Sequence, residues 1–316
     1  MHRSSGAAPA DAAHGGAAKL DHAAPPSSPA RRRVIAAFEA AIDDALAAAA
    51  RVESDPIRSV HAFRRAARRA HAILAVVASE VSTPARLEIG SALRSAIRDT
   101  STMRDRDVLP STLASLPLRH GTEEARAELE AALLAGRARK RRPLSRVRRL
   151  AVAAARLGLL PERFDAALAA ELEAIAIGEG VARLARRARS AVKSALDDDG
   201  GRDAIVAAHR ARKRVRRLAA SIDALLGAGS RMARRARELA RLSMRIGKTL
   251  DLERLASFAR ARARGTVQDD AAHARLLEQL DRRPRRRRLD LFTRAARLLE
   301  RRRWKPERLS RPVEST

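Results

Sequence analysis

Cysteine, tyrosine and asparagine are absent from this 316-residue chain, and its aromatic residues are five Phe and one Trp. Without cysteine there is no disulfide framework, no thiolate zinc site and no thiol nucleophile. Glutamine occurs only at Gln268 and Gln279, so amide side chains for reading base edges are scarce. Long apolar runs are missing too. The longest stretch free of Lys, Arg, Asp and Glu runs from Val108 to Leu118 and contains Pro110 and Pro117. A membrane-spanning helix needs about 20 apolar residues, so none is expected. Residues 1–30 lack the apolar core of a secretory signal. The length suffices for one large domain or two smaller ones, each able to bury a core.

Cationic charge is abundant. Lys and Arg number 66 against 37 Asp and Glu, a net charge of +29, and only six of the cations are Lys. Such a surplus repels itself in a compact fold and fits a polyanionic partner: nucleic acid, an anionic membrane or polyphosphate. A GC-rich coding bias inflates an Arg count, but it does not sort cations onto one side of particular helices. Placement is therefore the informative feature.

Residues 1–30, rich in Ala, Pro, Ser and Gly, carry too little bulky apolar surface to offset ordering entropy and read as a disordered arm. From Arg31 onward Ala, Leu, Arg and Glu dominate, strand-like alternation is missing, and the remainder reads as all-α. Apolar spacing and breakers predict helices over about 31–52, 57–80, 84–108, 123–136, 144–156, 162–177, 181–196, 202–226, 231–264, 269–281 and 287–303. Pro110 and Pro117 are expected to end the third. Gly178-Glu179-Gly180 is expected to interrupt the chain before the helix that ends at Leu196.

Two segments share one basic spacing. His61-Ala62-Phe63-Arg64-Arg65-Ala66-Ala67-Arg68-Arg69 and His209-Arg210-Ala211-Arg212-Lys213-Arg214-Val215-Arg216-Arg217 each lead with His, with cations at +3, +4, +7 and +8. The offset, 209 − 61 = 148 residues, is close to half the chain. On a wheel with His61 at zero, Arg68, Arg65, Arg64 and Arg69 fall at roughly −20°, +40°, −60° and +80°. Phe63, Ala66, Ala67, Ala70, Ile73, Leu74 and Val77 fall between about 120° and 240°, opposite the cations. In the second copy Ala211, Val215, Leu218, Ile222 and Leu225 take the apolar side, with Arg214 at its edge. Four guanidinium groups along about 12 Å of helix repel one another, and a linear chain of phosphates relieves that repulsion. A histidine within the arc adds an N–H donor, and a nearby anion favours its protonated form. The bland reading of one such helix is a solvated face; two copies in one register argue against it.

These motifs resemble the CHAD family (conserved histidine α-helical domain), whose repeats begin Val-His-x-x-Arg-x-x-x-Arg-Arg. Val60, His61, Arg64, Arg68 and Arg69 fit the first repeat, and His209, Arg212, Arg216 and Arg217 the second. His71 and Ala219 stand where the family often carries a further basic residue. Arg104-Asp105-Arg106-Asp107-Val108 resembles a second element, Arg-Asp-x-Asp-Val. Its later partner, Gly-x-x-Asn-Asp-Leu, is met by Gly247-Lys248-Thr249-Leu250-Asp251-Leu252, with Leu250 replacing Asn. The resemblance implies two four-helix-bundle-like repeats, about 31–160 and 161–305, related by pseudo-two-fold symmetry around a basic central groove, with 306–316 as a tail. It also implies binding of inorganic polyphosphate without catalysis or cofactor, and association with polyphosphate granules in a prokaryotic cytoplasm. Some members are fused to a triphosphate-tunnel domain marked by Glu-x-Glu-x-Lys. Here Glu171-Leu172-Glu173 is followed by Ala174 and Ile175, so the chain looks like a stand-alone copy. The expected polyphosphate-binding residues are His61, Arg64, Arg65, Arg68, Arg69, Arg98, Arg104, His209, Arg212, Lys213, Arg216, Arg217, Arg245 and Lys248. For Arg98, Arg104, Arg245 and Lys248, plain surface charge is an equal alternative.

Two other function classes compete. A nucleic-acid-binding helical protein would use the same charge, but base recognition usually needs aromatic stacking or amide side chains, both rare here. A phosphoester-processing enzyme would need a metal-binding carboxylate cluster. Asp105 and Asp107, two apart on a helix, diverge by about 200° and cannot chelate one ion together. Asp105 and Asp251 more naturally orient an Arg or cap a turn. Gly247-Lys248-Thr249 lacks the earlier glycine and the strand of a phosphate loop. The basic runs Arg137–Arg142 and Arg285–Arg288 read as solvated linkers, with auxiliary anion contact as the alternative.

Overall fold

The computed structural model describes residues 28–117, 120–138, 143–197, 202–226, 230–263, 271–281, 284–300 and 304–305. The expected arm, except residues 28–30, and the expected tail lie outside them. Among the described residues there are twelve helices: α1 (Pro29–Ala50), α2 (Pro56–Val76), α3 (Thr83–Asp99), α4 (Ser101–Ala114), α5 (Glu123–Ala138), α6 (Pro143–Gly158), α7 (Leu160–Ala167), α8 (Ala174–Leu196), α9 (Arg202–Leu225), α10 (Arg231–Ala263), α11 (Ala271–Asp281) and α12 (Pro284–Leu298). The fold is all-α, as the composition predicts; the described residues make only an isolated bridge between Val81 and Leu168.

Local chemistry sets the helix starts. Ser28 Oγ accepts from the Arg31 amide at 3.1 Å, and Asp55 Oδ1 accepts from the Arg58 amide at 3.1 Å. Pro29 and Pro56 occupy the first helical positions, where the missing N–H would have no partner. The main core gathers the apolar faces of α1, α2, α3, α6, α8, α9, α10 and α12. Within it Phe38 stacks on Phe164 with ring centroids 4.1 Å apart. A second cluster joins Leu113, Ala125 and Leu129 to Leu255, Ala256, Leu276 and Leu280, so α4, α5, α10 and α11 form their own end of the molecule. At the other end of the chain, Trp304 is buried and donates through Nε1 to the Leu298 carbonyl at 3.0 Å. Arg189 Nε donates to the Leu299 carbonyl at 2.6 Å, so two side chains satisfy the last turn of α12.

The helices recur in the order the motif offset predicts. α1, α2 and α3 begin at 29, 56 and 83; α8, α9 and α10 begin at 174, 202 and 231, displaced by 145, 146 and 148 residues. Packing recurs with them. α1 lies on α2 and α6 as α8 lies on α9 and α12, and α4 lies on α5 as α10 lies on α11. Across the middle, α2 packs against both α8 and α9.

Three expectations about breaks need correcting. Pro110 lies inside α4, which runs on to Ala114. A proline removes one ladder bond, and α4 is held by packing on α5 and α10. The break falls instead at Thr100. There Thr100 Oγ1 donates to the Ala96 carbonyl at 2.8 Å and Ser101 Oγ to the Ile97 carbonyl at 2.9 Å. Such back-bonding by short hydroxyl side chains bends or ends helices. In the later half the corresponding stretch is the unbroken α10.

Likewise, Gly178-Glu179-Gly180 lies within α8 rather than before it. A Cβ at Gly180 would stand 2.8 Å from the carbonyl carbon of Val76 and nearer still to its oxygen, so the glycine permits α8 to meet the end of α2. The helix expected over 162–177 stops at Ala167. After it, Ala169 donates from its amide to the Glu80 carbonyl at 2.8 Å, and the Ser82 amide donates to the Ala167 carbonyl at 3.2 Å. That pairing with the α2–α3 loop replaces a helical turn.

Candidate polyanion-binding cleft

The two histidine-led motifs lie on α2 and α9, and their apolar residues are buried as the wheel predicts. The arginine three residues after each histidine departs from the prediction. Arg64 is only 4% exposed. Its Nη1 donates to the Ile97 carbonyl at 2.6 Å and to Thr100 Oγ1 and Ser101 Oγ, each at 3.0 Å. It holds the carbonyl that the α3–α4 break diverts from the helix ladder. Arg212 does the same for the second motif: its Nε donates to the Ser243 carbonyl of α10 at 3.2 Å. Its guanidinium closes against Gly247, where a Cβ would stand 2.7 Å from Arg212 Nε. In both copies this arginine binds a neighbouring helix. The wheel placed Arg64 at −60° among the cations because it located the Cα and not the reach of a long side chain.

The remaining predicted cations divide. His61 and Arg65 of α2 and Lys248 of α10 line one cleft of about 990 Å³. Two of these thus come from the first half of the chain and one from the second. Arg58 joins from α2 and Arg287 from α12, and the described lining contains no Asp or Glu. Ser111, Thr112 and Ser115 of α4 and Gln279 of α11 complete the polar lining; Ile57, Val60, Leu116, Leu252 and Leu280 are among the apolar residues. Sequence reasoning missed Arg58 and Arg287. Arg58 stands three residues before His61 on the same face of α2, so extending the wheel one turn backward would have found it. Arg287 lay within a run read as a solvated linker, and its neighbour Arg288 is no linker residue either. Arg288 Nη1 meets Glu253 Oε2 at 2.9 Å with both side chains largely buried. Burial raises the Glu253 pKa, and Arg288 opposes that rise.

Other predicted residues lie outside the cleft lining. Arg69 reaches Asp44 of α1 at 3.6 Å. Arg217 Nη2 lies 3.3 Å from Nδ1 of His71. Arg68 and Arg216 are partly buried; Lys213, Arg98 and Arg245 are exposed. The side chain of Arg104 lies outside the described residues, as do those of Asp105, Asp107 and Arg137–Arg142. His209 is partly buried. Burial lowers its pKa, and Arg212 and Lys213 lower it further, while Asp251 pulls the other way. A negative ligand beside His209 would reverse part of that shift and favour its charged form. The α9 motif thus lies outside the cleft lining, and the cleft takes its later-half cations from α10 and α12.

The arrangement can neutralise a multiply charged anion. Guanidinium groups offer paired N–H donors to phosphate oxygens, and Lys248 adds a compact charge. Among the described residues no group of three or more His, Asp or Glu comes together in a way that could hold a metal ion. No helix among the described residues is long and apolar enough to cross a membrane.

The crystal structure of the CHAD domain from the plant Ricinus communis matches with a TM-score of 0.55 at 18% identity, covering 86% of this chain and 92% of that one. PptA from Streptomyces chartreusis matches with a TM-score of 0.56 at 20% identity, covering 86% of this chain and 99% of that one. At these identities the two structures speak to the fold. No curated protein matches the chain. The CHAD domain model matches residues 36–260, which include both histidine-led helices, the α3–α4 break and most of α10. The chain thus belongs to the CHAD domain family.

Proposed function

We propose that this protein binds inorganic polyphosphate without processing it, and that the cleft between α2, α4, α10, α11 and α12 is where the chain of phosphates is gripped. The observation that carries this reading is the cleft's cation set: Arg58, His61, Arg65, Lys248 and Arg287, with no described acidic residue among the lining. In a protein with 37 acidic residues, a cleft of that size whose described lining holds no Asp or Glu suits an anion. In this reading His209, Lys213 and Arg216 on α9 are a second contact for a long chain of phosphates. The repeated helix order and packing support a pseudo-two-fold relation between the halves. Targeting to polyphosphate granules in the cytoplasm follows from the family resemblance.

Titration of long-chain polyphosphate into the wild type and into Arg65→Ala/Lys248→Ala tests the reading. The double variant is expected to bind at least ten-fold more weakly. Equal affinity overturns the assignment of the cleft. Duplex DNA displacing polyphosphate at equal phosphate concentration would favour nucleic acid as the partner instead.

A further inference from the structure

The cleft carries more chemistry than a bare string of phosphates can use. Its cations all come from α2, α10 and α12. The described lining residues from Val108 to Pro117, with Gln279 and Leu280 of α11, carry no charge. They contribute hydroxyls, an amide and apolar side chains, among them Leu116 and Leu280.

The hydrogen bonds on this uncharged side have a direction. Thr112 Oγ1 donates its proton to the Val108 carbonyl at 2.7 Å, and Ser115 Oγ donates to the Thr112 carbonyl at 2.8 Å. What these hydroxyls offer outward is lone pairs. Gln279 Nε2 gives one hydrogen to the Pro117 carbonyl at 2.9 Å, which leaves its Oε1 and one N–H. A polyphosphate chain presents acceptors only. Set against acceptor hydroxyls and apolar walls, it finds only the one Gln279 N–H and would dehydrate most of its oxygens at a cost.

We infer that the cleft takes a nucleoside polyphosphate. The phosphates lie on Arg65, Lys248 and the neighbouring cations. The nucleoside lies on the α4–α11 side, its hydroxyl and amino hydrogens donated to Thr112, Ser115 and Gln279 and its planar base against Leu116 and Leu280. This rests on the anion-binding reading of the same cleft, and it adds the organic body that the uncharged half requires. Pockets for small ligands commonly combine such apolar walls with a few oriented polar groups.

The test compares ATP with inorganic tripolyphosphate, without added metal, by isothermal titration calorimetry at one ionic strength. ATP is expected to bind at least ten-fold more tightly than tripolyphosphate. Thr112→Val, close in shape but lacking the acceptor, is expected to weaken ATP by at least three-fold and leave tripolyphosphate unchanged. Arg65→Ala is expected to weaken both. Tripolyphosphate binding as tightly as ATP overturns the inference while leaving the anion-binding reading standing. Loss of both ligands' binding in Thr112→Val, with its melting temperature unchanged, also overturns it. Failure of the wild type to bind either compound overturns the inference, while the long-chain polyphosphate titration decides the anion-binding reading.

Discussion

Arg217 of α9 and His71 of α2, 146 positions apart in the chain, meet across the middle of the molecule with Nη2 3.3 Å from Nδ1. For that contact to be a hydrogen bond Nδ1 must be the acceptor, so His71 must be neutral. Its surroundings enforce this: burial, Arg217 and Arg94 lower its pKa from 6.5 to about 4. Burial likewise lowers the Arg217 pKa, with Arg214, Arg187 and Arg94 adding to the effect.

A pH dependence follows. The unfolded chain takes up a proton at this histidine below pH about 6.5, while the folded one resists until about 4, so stability falls as pH drops through that window and levels off beneath it. Between pH 7.5 and 5 the loss from His71 is about 2 kcal/mol. His209 is shifted in the same direction and adds to it. His71→Gln, which keeps an acceptor for Arg217 and does not titrate, should flatten most of the slope. Urea unfolding at the two pH values measures this; an unchanged slope in the variant would rule out His71 as its source.

Adjacent arginines of the first motif should separate by role. Arg64→Ala removes three hydrogen bonds at a buried helix break and should cost about 2–4 kcal/mol of stability. Arg65→Ala, at an exposed position lining the cleft, should change stability by less than about 0.5 kcal/mol and weaken polyphosphate binding. Denaturant unfolding paired with polyphosphate titration of each variant reads the split. The reverse pattern, with Arg65 stabilising and Arg64 binding, would contradict the placement.

Two glycines should respond oppositely to one methyl group. At Gly180 the new Cβ meets the backbone of Val76, which cannot swing aside, so Gly180→Ala should destabilise by about 2 kcal/mol or more. At Gly158, the last residue of α6, nothing lies within 4 Å of the new Cβ. Gly158→Ala should therefore be neutral or stabilising by up to about 1 kcal/mol. Thermal melts of the two variants, compared with wild type, decide it.

Polyphosphate should stabilise the fold and lose affinity with salt. A ligand bound only by the folded state at one hundred times its Kd adds about 2.7 kcal/mol. Contacts made mainly with phosphates should give an affinity that falls log-linearly with salt. Melting temperature and affinity measured across a salt series test both. Affinity independent of salt would mean that charge is not what holds the ligand.

Helix identity and order were legible because Ala, Leu, Arg and Glu leave few alternatives and because the duplicated motif fixes the register of the halves. Packing was not legible. Gly180 looks like a breaker in sequence and acts as a contact surface, because only the tertiary approach of Val76 distinguishes the two roles. Pro110 looks like a helix end, while the true break comes from the hydroxyls of Thr100 and Ser101, whose back-bonding is a matter of rotamer. For the site, the wheel found His61 and Arg65, and motif matching found Lys248. Neither could tell that Arg64 and Arg212 turn onto neighbouring helices, since cations on one helical arc differ in what lies beside them. Thr112 and Gln279 carried no signal, because they enter the cleft from elements distant in sequence.

The indole of Trp304, capping α12, has an experimental consequence. In a chain without tyrosine and with a single tryptophan, ultraviolet emission excited at the red edge comes from that ring. Its colour and intensity therefore report on whether the last helix is seated against α8. An inorganic phosphate polymer, itself transparent at those wavelengths, can be followed through this built-in probe with no label attached.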